Sequence, residues 1–425
     1  MILTRRHLAL DAAAPAAAPV APMTPVRRWT VVAVLCLIYV AAYAERNNIS
    51  FALTDRPFTS FFHLDDLRRG DLGSAFFWTY ALLQLPAGWI VDRLGAKRSV
   101  GAAFVTWSLV AAGNGLCQSF AQLFVMRLFL GVAEAVVTPG GMRWIRYNVS
   151  EERRGLAIGL FMAAAKLGPS VVSLVTPLLI ARYGWRPMFV ILGLAPLVML
   201  APWLALARAD VPGAEPSRAP AVPFAAVARS PVLWGTIVGT FAYNYYNYFC
   251  MTWMPIYFTE HRHLSQRAMS LWSGASFAGL AAVAIAAGWL ADRMITAGRD
   301  AVKVRRLFTM AGLALALTEL IGAFSPSNGV ALFFALFSLA GLGLTTANYW
   351  ALTQTLIPGA GVGRIVAIQN CASNLAGAAT AMLTGWLKHR TGGFEAPMLV
   401  VALFLVLGLA SYRFAVRPER APRAR

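Results

Sequence analysis

The sequence predicts an all-α integral membrane protein, with twelve transmembrane helices in two six-helix halves and both termini on the cytoplasmic side. Three observations predict it. The 425 residues are 58% hydrophobic and only 13% charged, whereas soluble domains run about 45–50% apolar and about 25% charged. The chain contains twelve apolar runs near the length of about 20 residues that a bilayer core about 30 Å thick requires. A short charged element at residues 88–98 recurs at residues 288–293, in the same place in each half.

The runs lie near 29–51, 71–91, 99–118, 121–142, 155–180, 187–207, 231–258, 268–291, 306–325, 329–352, 365–387 and 395–415. Gly113 and Asn114 interrupt the third. A Pro/Ala-rich stretch carrying Pro212, Pro216, Pro220 and Pro223 divides the runs six and six. The expected organisation is an N-terminal tail 1–28, a bundle 29–207, a linker 208–230, a bundle 231–416 and a basic tail 417–425. An even number of spans puts both termini on one side. Of the 37 Lys and Arg, 25 fall on that side, 9 on the opposite side and 3 inside spans. Such a bias assigns the termini to the cytoplasm.

Most of the formal net charge of +19 is therefore topogenic, and it implies no nucleic-acid partner. The 25 Phe and 13 Trp exclude intrinsic disorder, which needs a chain poor in apolar and aromatic residues. Cys36, Cys117, Cys250 and Cys371 all fall in apolar runs without ligand-like spacing and read as small packing residues. The basic, then Ala/Pro-rich N-terminus lacks an apolar core and reads as a flexible tail, not a signal peptide.

The recurring element is Gly88-Trp-Ile-Val-Asp-Arg-Leu-Gly-Ala-Lys-Arg98 after span two and Gly288-Trp-Leu-Ala-Asp-Arg293 after span eight. It resembles the signature loop of the major facilitator superfamily, whose carriers are built from such repeated halves. Topogenic charge accounts for Arg93 but not for Asp92. Asp92, Arg93, Asp292 and Arg293 are thus candidates for conformational gating, with each carboxylate holding a neighbouring helix end or Arg on the cytoplasmic side.

Ionisable groups inside spans are costly, so each is a candidate functional residue. They are Glu45 and Arg46 in span one, Arg127 and Glu134 in span four, Lys166 in span five and Glu319 in span nine. At about 1.5 Å per residue, Arg46 lies about 25 Å from the cytoplasmic start of its span and Arg127 about 9 Å below the outer face. The two arginines share a depth, with Glu134 and Lys166 nearer the midplane. Two planar guanidinium forks at one depth suit a carboxylate. The competing arrangement is structural pairing, Arg46 with Glu134, Arg127 with Glu45 and Lys166 with Glu134. Three cations against two acids leave the site net positive, and more so when the acids are protonated. Glu45 and Glu134 are the candidate proton carriers, because His7, His63, His261, His263 and His389 all fall outside the predicted spans.

Span seven adds Asn244, Tyr245, Tyr246, Asn247 and Tyr248, with Tyr248 at the depth of Arg46. Span eleven adds Gln369, Asn370, Ser373 and Asn374. These offer hydrogen bonds to hydroxyls and carboxylates, or equally to neighbouring helices.

Together the motifs resemble the anion:cation symporter family, which includes bacterial hexonate, hexuronate, glucarate and tartrate carriers. Tyr43-Ala-Glu45-Arg46-Asn47-Asn48-Ile49-Ser50 looks like its span-one motif, and Arg127 through Glu134-Ala with Pro139 like its span-four motif. Gly184-Trp185-Arg186 with Phe189, Tyr248-Phe249 through Trp253-Met-Pro255-Ile-Tyr257, and Ile368-Gln-Asn370 through Asn374-Leu-Ala-Gly377 are similar to further family elements. Glu45 departs from the usual Asp, and Met382 from a frequent Pro. The resemblance implies that Arg46 and Arg127 hold a substrate carboxylate, with Tyr43, Tyr248 and Asn374 nearby and proton coupling through Glu134 and Glu45. Asn247 and Lys166 complete the candidate contacts, Lys166 serving either Glu134 or a second end of the substrate.

The function expected is import of a small organic acid, first a sugar acid such as hexonate or hexuronate, with protons. Alternatives are an aromatic or dicarboxylate symporter, a proton-coupled efflux carrier and a solute sensor. No enzyme chemistry, metal or cofactor is expected. The expected partners are the organic anion, protons and the lipid bilayer, with the carrier working as a monomer in the inner (cytoplasmic) membrane.

Overall fold

The computed structural model describes residues 23–209, 229–356 and 362–417. Most of the two tails and of the linker lies outside the described residues. Within them the chain is helical. α1 (Pro25–Ala52), a short α2 (Arg56–Phe61), α3 (Asp66–Leu94), α4 (Ala96–Gly113), α5 (Phe120–Glu134), α6 (Val137–Asn148), α7 (Glu151–Tyr183), α8 (Trp185–Leu194) and α9 (Leu200–Leu206) make the first half. α10 (Pro231–Thr252), α11 (Gln266–Thr296), α12 (Ala301–Ala316), α13 (Glu319–Phe324), α14 (Asn328–Leu356), α15 (Val362–Thr391) and α16 (Glu395–Phe414) make the second.

Each of the twelve apolar runs coincides with a helix or a broken helix. Nine helical segments among the described residues are long and apolar enough to cross a membrane. α3, α10 and α15 are the other long helices, and they are central to the packing. α3 packs on α5, α10 on α15 and α16, and α3 meets α15 across the two halves. The second seam between halves is α7 against α11.

Local chemistry explains the breaks. The third run ends where sequence places its weak point: α4 stops at Gly113, and Asn114 starts a 3-10 turn while its amide bonds back to the Val110 and Ala111 carbonyls. Asp65, Ser119, Ser265 and Asp300 cap the N-termini of α3, α5, α11 and α12 through their side-chain oxygens, satisfying amides that a helix start leaves unpaired.

The halves meet tightly at the end away from the chain termini. A Cβ on Gly70 would lie 2.9 Å from the Ala381 carbonyl, and one on Gly385 would lie 2.5 Å from the Asp66 carbonyl. Only glycine permits α3 and α15 to approach so closely. Beside this seam Arg69 donates to Glu260 at 2.6 Å and Lys388 to Asp66 at 2.7 Å, both across the halves. Within each half Arg69 lies 3.6 Å from Asp66, and Lys388 lies 3.2 Å from Glu260. The polar contacts continue inward through Ser170 with the Gly274 carbonyl to Asn370 with Gln84.

Candidate functional site

The charged residues of α1 and α5 come together in the interior of the first half. Glu45, Arg46, Arg127 and Glu134 are all buried. Arg46 donates to Glu134 at 3.1 Å, which is one of the structural pairs the sequence allows. Its guanidinium also lies against three rings, with centroid distances of 4.3 Å to Tyr43, 4.4 Å to Phe76 and 4.6 Å to Tyr80. A desolvated cation over an aromatic face gains about 1–2 kcal/mol. The aromatic cage thus offsets part of the cost of burying Arg46 and fixes its orientation.

Arg127 does not make the other structural pair that the sequence allows. It does not bond the Glu45 carboxylate; it donates to two main-chain carbonyls of α1, Glu45 at 3.4 Å and Arg46 at 3.0 Å. Glu45 accepts instead from Asn48, one turn on, at 2.7 Å. The reason lies in helix geometry. The arginine spans the interhelical gap and reaches backbone oxygens, whereas Glu45 and Asn48, at i and i+3, are neighbours on one face. Glu45 and Glu134 remain within electrostatic reach of one another and of Arg127. Glu134 Oε1, Arg46 Nε and Arg127 Nε are buried without hydrogen-bond partners among the described residues.

Of the two alternatives the sequence leaves open for Lys166, the pair with Glu134 is not formed. Its ammonium donates to the Tyr243 hydroxyl of α10 at 3.2 Å, across the interface between halves. Gly168 sets this direction. A Cβ there would lie 2.6 Å from Tyr43 Cβ and 2.7 Å from the Val40 carbonyl, so the Gly168 face of α7 is pressed onto α1. Residue 166 lies roughly 200° round the helix from it at about 100° per residue, and it faces the other half.

Of the second-half residues, Tyr248 is buried against Phe77 of α3, with ring centroids 4.5 Å apart, within electrostatic reach of Arg46 and Tyr43. Asn374 is buried and donates to its own helix at the Asn370 carbonyl, 2.7 Å away. Asn247 is buried, its amide against Met251 Sδ at 3.7 Å. The Asn247 and Asn374 Oδ1 atoms are left without partners among the described residues. Glu319 belongs to a separate cluster: Ser338 and Tyr246 donate to its Oε2 at 2.7 Å and 3.2 Å.

The repeated loop residues lie far from this cluster, at the other end of α3 and α11. Asp92 pairs with Arg143 at 2.6 Å, and Asp292 with Arg305 at 2.9 Å. Arg93 and Arg293 each lie over the Trp four residues before them, Trp89 and Trp289. The two halves thus repeat both contacts, each within its own half.

Sequence reasoning did not find Phe76 and Tyr80 in the Arg46 cage, nor Tyr243, itself 2.8 Å from Thr346 Oγ1, beside Lys166. Nor did it find the Asp66, Arg69, Glu260 and Lys388 cluster. The available signal was the four-residue spacing of Phe76 and Tyr80, which puts both rings on one face of α3.

Comparison with known proteins agrees with this architecture. The chain matches the profile of the Major Facilitator Superfamily over residues 35–381. It is 26% identical to a probable L-galactonate transporter of Escherichia coli (strain K12), covering 94% of this chain and 92% of the relative. It is 24% identical to a probable galactarate/D-glucarate transporter of Bacillus subtilis (strain 168), covering 92% of each. Among solved structures it superposes with a TM-score of 0.76 on a bacterial homologue of the human lysosomal transporter Spinster in an inward-facing, unoccupied conformation. That match has 18% identity and covers 95% of this chain and 99% of the other.

Proposed function

Because the chain belongs to the Major Facilitator Superfamily, a family of transporters and not of enzymes, we propose that it carries a sugar acid across the membrane in symport with protons. The observation that carries this reading is the Arg46–Glu134 pair with Arg127 bonded to the Arg46 carbonyl. Two guanidinium groups are held in one place, and an exchangeable carboxylate occupies one of them.

A substrate carboxylate and Glu134 compete for the same guanidinium. Two carboxylates on one arginine in a low-dielectric site repel, and a proton on Glu134 relieves that repulsion. Protonation of Glu134 therefore frees Arg46 for the substrate, and substrate binding favours the protonated acid. This reciprocity couples the two ligands. Glu45, held by Asn48 near Arg127, is the second proton acceptor in this reading. Tyr43, Tyr248, Asn247 and Asn374 supply hydroxyl and amide contacts, the last two through carbonyl oxygens that have no partner among the described residues. Hydroxyl-rich substrates suit such a lining.

The names of the two relatives support a sugar acid over an aromatic one. The charge of the site disfavours cationic efflux substrates. A proton gradient drives the cycle without a cofactor, which fits the inner (cytoplasmic) membrane and import. Asp92 and Asp292 with their arginines steady the cytoplasmic ends of the halves as they rock.

Uptake into proteoliposomes tests the reading. An inward proton gradient should drive accumulation of gluconate or glucuronate above equilibrium, and a protonophore should abolish it. Accumulation that survives the protonophore and requires sodium would overturn proton coupling.

A further inference from the structure

We infer that Tyr80 and Thr138, with Tyr39 holding Thr138 in line, form a hydroxyl relay through which Glu134 releases its proton toward the side of the chain termini. This rests on the proton-coupling reading above and gives that proton a way out.

Glu134 and Arg46 face one another from antiparallel spans and are both buried, while the α3–α15 seam closes the end away from the termini. Tyr39 lies two turns before Arg46 on α1, and Thr138 lies one turn past Glu134. Both therefore sit about 6–10 Å nearer the termini at about 1.5 Å per residue. Span four breaks between them. Pro139 has no amide to give the Ala135 carbonyl; α5 ends at Glu134 and α6 begins at Val137. The break leaves Thr138 in the gap between α1 and α3, its Oγ1 3.0 Å from the Tyr39 hydroxyl and 3.3 Å from the Tyr80 hydroxyl. Tyr80 in turn accepts a hydrogen bond from the Arg46 guanidinium that holds Glu134, and its ring lies against the same group. Tyr39 and Tyr80 are buried, whereas Thr138 is half-buried. Its open surface faces inward, because the exposed side of span four is that of Val125, Phe129 and Val132, about half a turn away at about 100° per residue. The hydroxyls thus run from the sealed ion pair to a member that the interior reaches.

The chemistry fits the order of the groups. A guanidinium only donates, so the Tyr80 oxygen accepts from Arg46 and its own proton is free for Thr138. Tyr39, stacked on Phe161 with ring centroids 4.1 Å apart, holds Thr138 from the other side. With both tyrosines donating, the two lone pairs of Thr138 Oγ1 are filled and its own proton points into the interior. The transfer balances. As Arg46 returns from the departing substrate, the Glu134 O–H bond breaks and its proton goes to the Tyr80 oxygen. The proton of the Tyr80 O–H passes to Thr138 Oγ1, and that of Thr138 passes to water on the side of the termini. Each hydroxyl ends neutral with one proton. Glu134 ends as a carboxylate on Arg46, and water carries the charge away. Only a group that accepts and donates at once can pass a proton in this way, which the arginine and the phenyl rings around it cannot do.

Gradient-driven uptake and gradient-free exchange of gluconate, measured in the same proteoliposomes, test this. Exchange carries substrate and proton across together in both directions and does not need the release step, whereas net uptake does. Thr138→Val keeps the volume and removes the hydroxyl. Its ratio of net uptake to exchange should fall about fivefold or more, since a positioned proton-transfer group contributes at least that much, and Thr138→Ser should restore the ratio to within about twofold of wild type. Tyr80→Phe keeps the ring over Arg46 and should lower the ratio likewise; it serves if Thr138→Val does not fold. A smaller fall would overturn this inference alone. So would loss of both activities in equal proportion, the mark of a merely structural role, or failure of serine to restore the ratio. Wild-type accumulation that survives a protonophore would overturn the proton-coupling reading and this inference with it.

Discussion

Arg127 donates to the main-chain carbonyl of Arg46 at 3.0 Å, so one arginine of the pair grips the helix that carries the other. A second bond reaches the Glu45 carbonyl on the same helix. The geometry demands a fork that can address two oxygens one residue apart. A lysine delivers a point charge and cannot bridge them. Arg127→Lys should therefore fold but bind substrate about tenfold or more weakly, measured by calorimetric titration of the purified carrier. Affinity within twofold of wild type would show that charge alone suffices.

The contest for Arg46 predicts a change in pH dependence. Glu134→Gln keeps an acceptor near Arg46 but cannot exchange a proton. Exchange of substrate across proteoliposomes in the absence of a gradient should persist, while gradient-driven accumulation should fall at least tenfold and lose its dependence on pH. Both activities would be measured in the same vesicles. Retained pH-dependent accumulation would move the coupling role to another residue, Glu45 first.

A size prediction follows from the α3–α15 seam. A Cβ at Gly70 would meet the Ala381 carbonyl at 2.9 Å, and backbone cannot yield as a flexible side chain can. Gly70→Val should prevent closure of the end away from the termini and stop transport. Labelling of a cysteine introduced beside the seam, by a membrane-impermeant thiol reagent added outside, should become faster in this variant. Unchanged labelling with normal transport would show that the seam relaxes.

The Glu319 cluster yields a stability prediction. Glu319→Leu removes the acceptor for Ser338 and Tyr246, two buried hydroxyls that also lie 2.6 Å from one another. Losing a buried acceptor costs about 1–3 kcal/mol. The variant should melt at lower temperature by scanning fluorimetry, whereas Glu319→Gln should lie closer to wild type. Substrate affinity should not change, because this cluster lies apart from the arginines.

Much of the fold is legible because a bilayer imposes length and apolarity on every helix. Charges within such helices stand out, and for that reason Arg46, Arg127, Glu134 and Lys166 can be picked from sequence. Their partners cannot. Whether Lys166 faces Glu134 or the opposite half depends on the rotation of α7, and the close approach of Gly168 to Tyr43 sets that rotation. The Arg46 cage needs the register of α3 against α1, which no local pattern encodes. The acceptors of Arg127 are unreadable for another reason: they are main-chain carbonyls, which every residue possesses.

The outer cluster carries its own electrical consequence. Asp66 and Arg69 belong to the first half, Glu260 and Lys388 to the second, and each half keeps an internal pair when the cross-bonds Arg69–Glu260 and Lys388–Asp66 part. Neither half gains or loses net charge as this gate swings. Moving one elementary charge through 100 mV costs about 2.3 kcal/mol, and a gate made of self-neutral halves avoids that work. This cluster therefore adds nothing to any voltage sensitivity of the transport cycle.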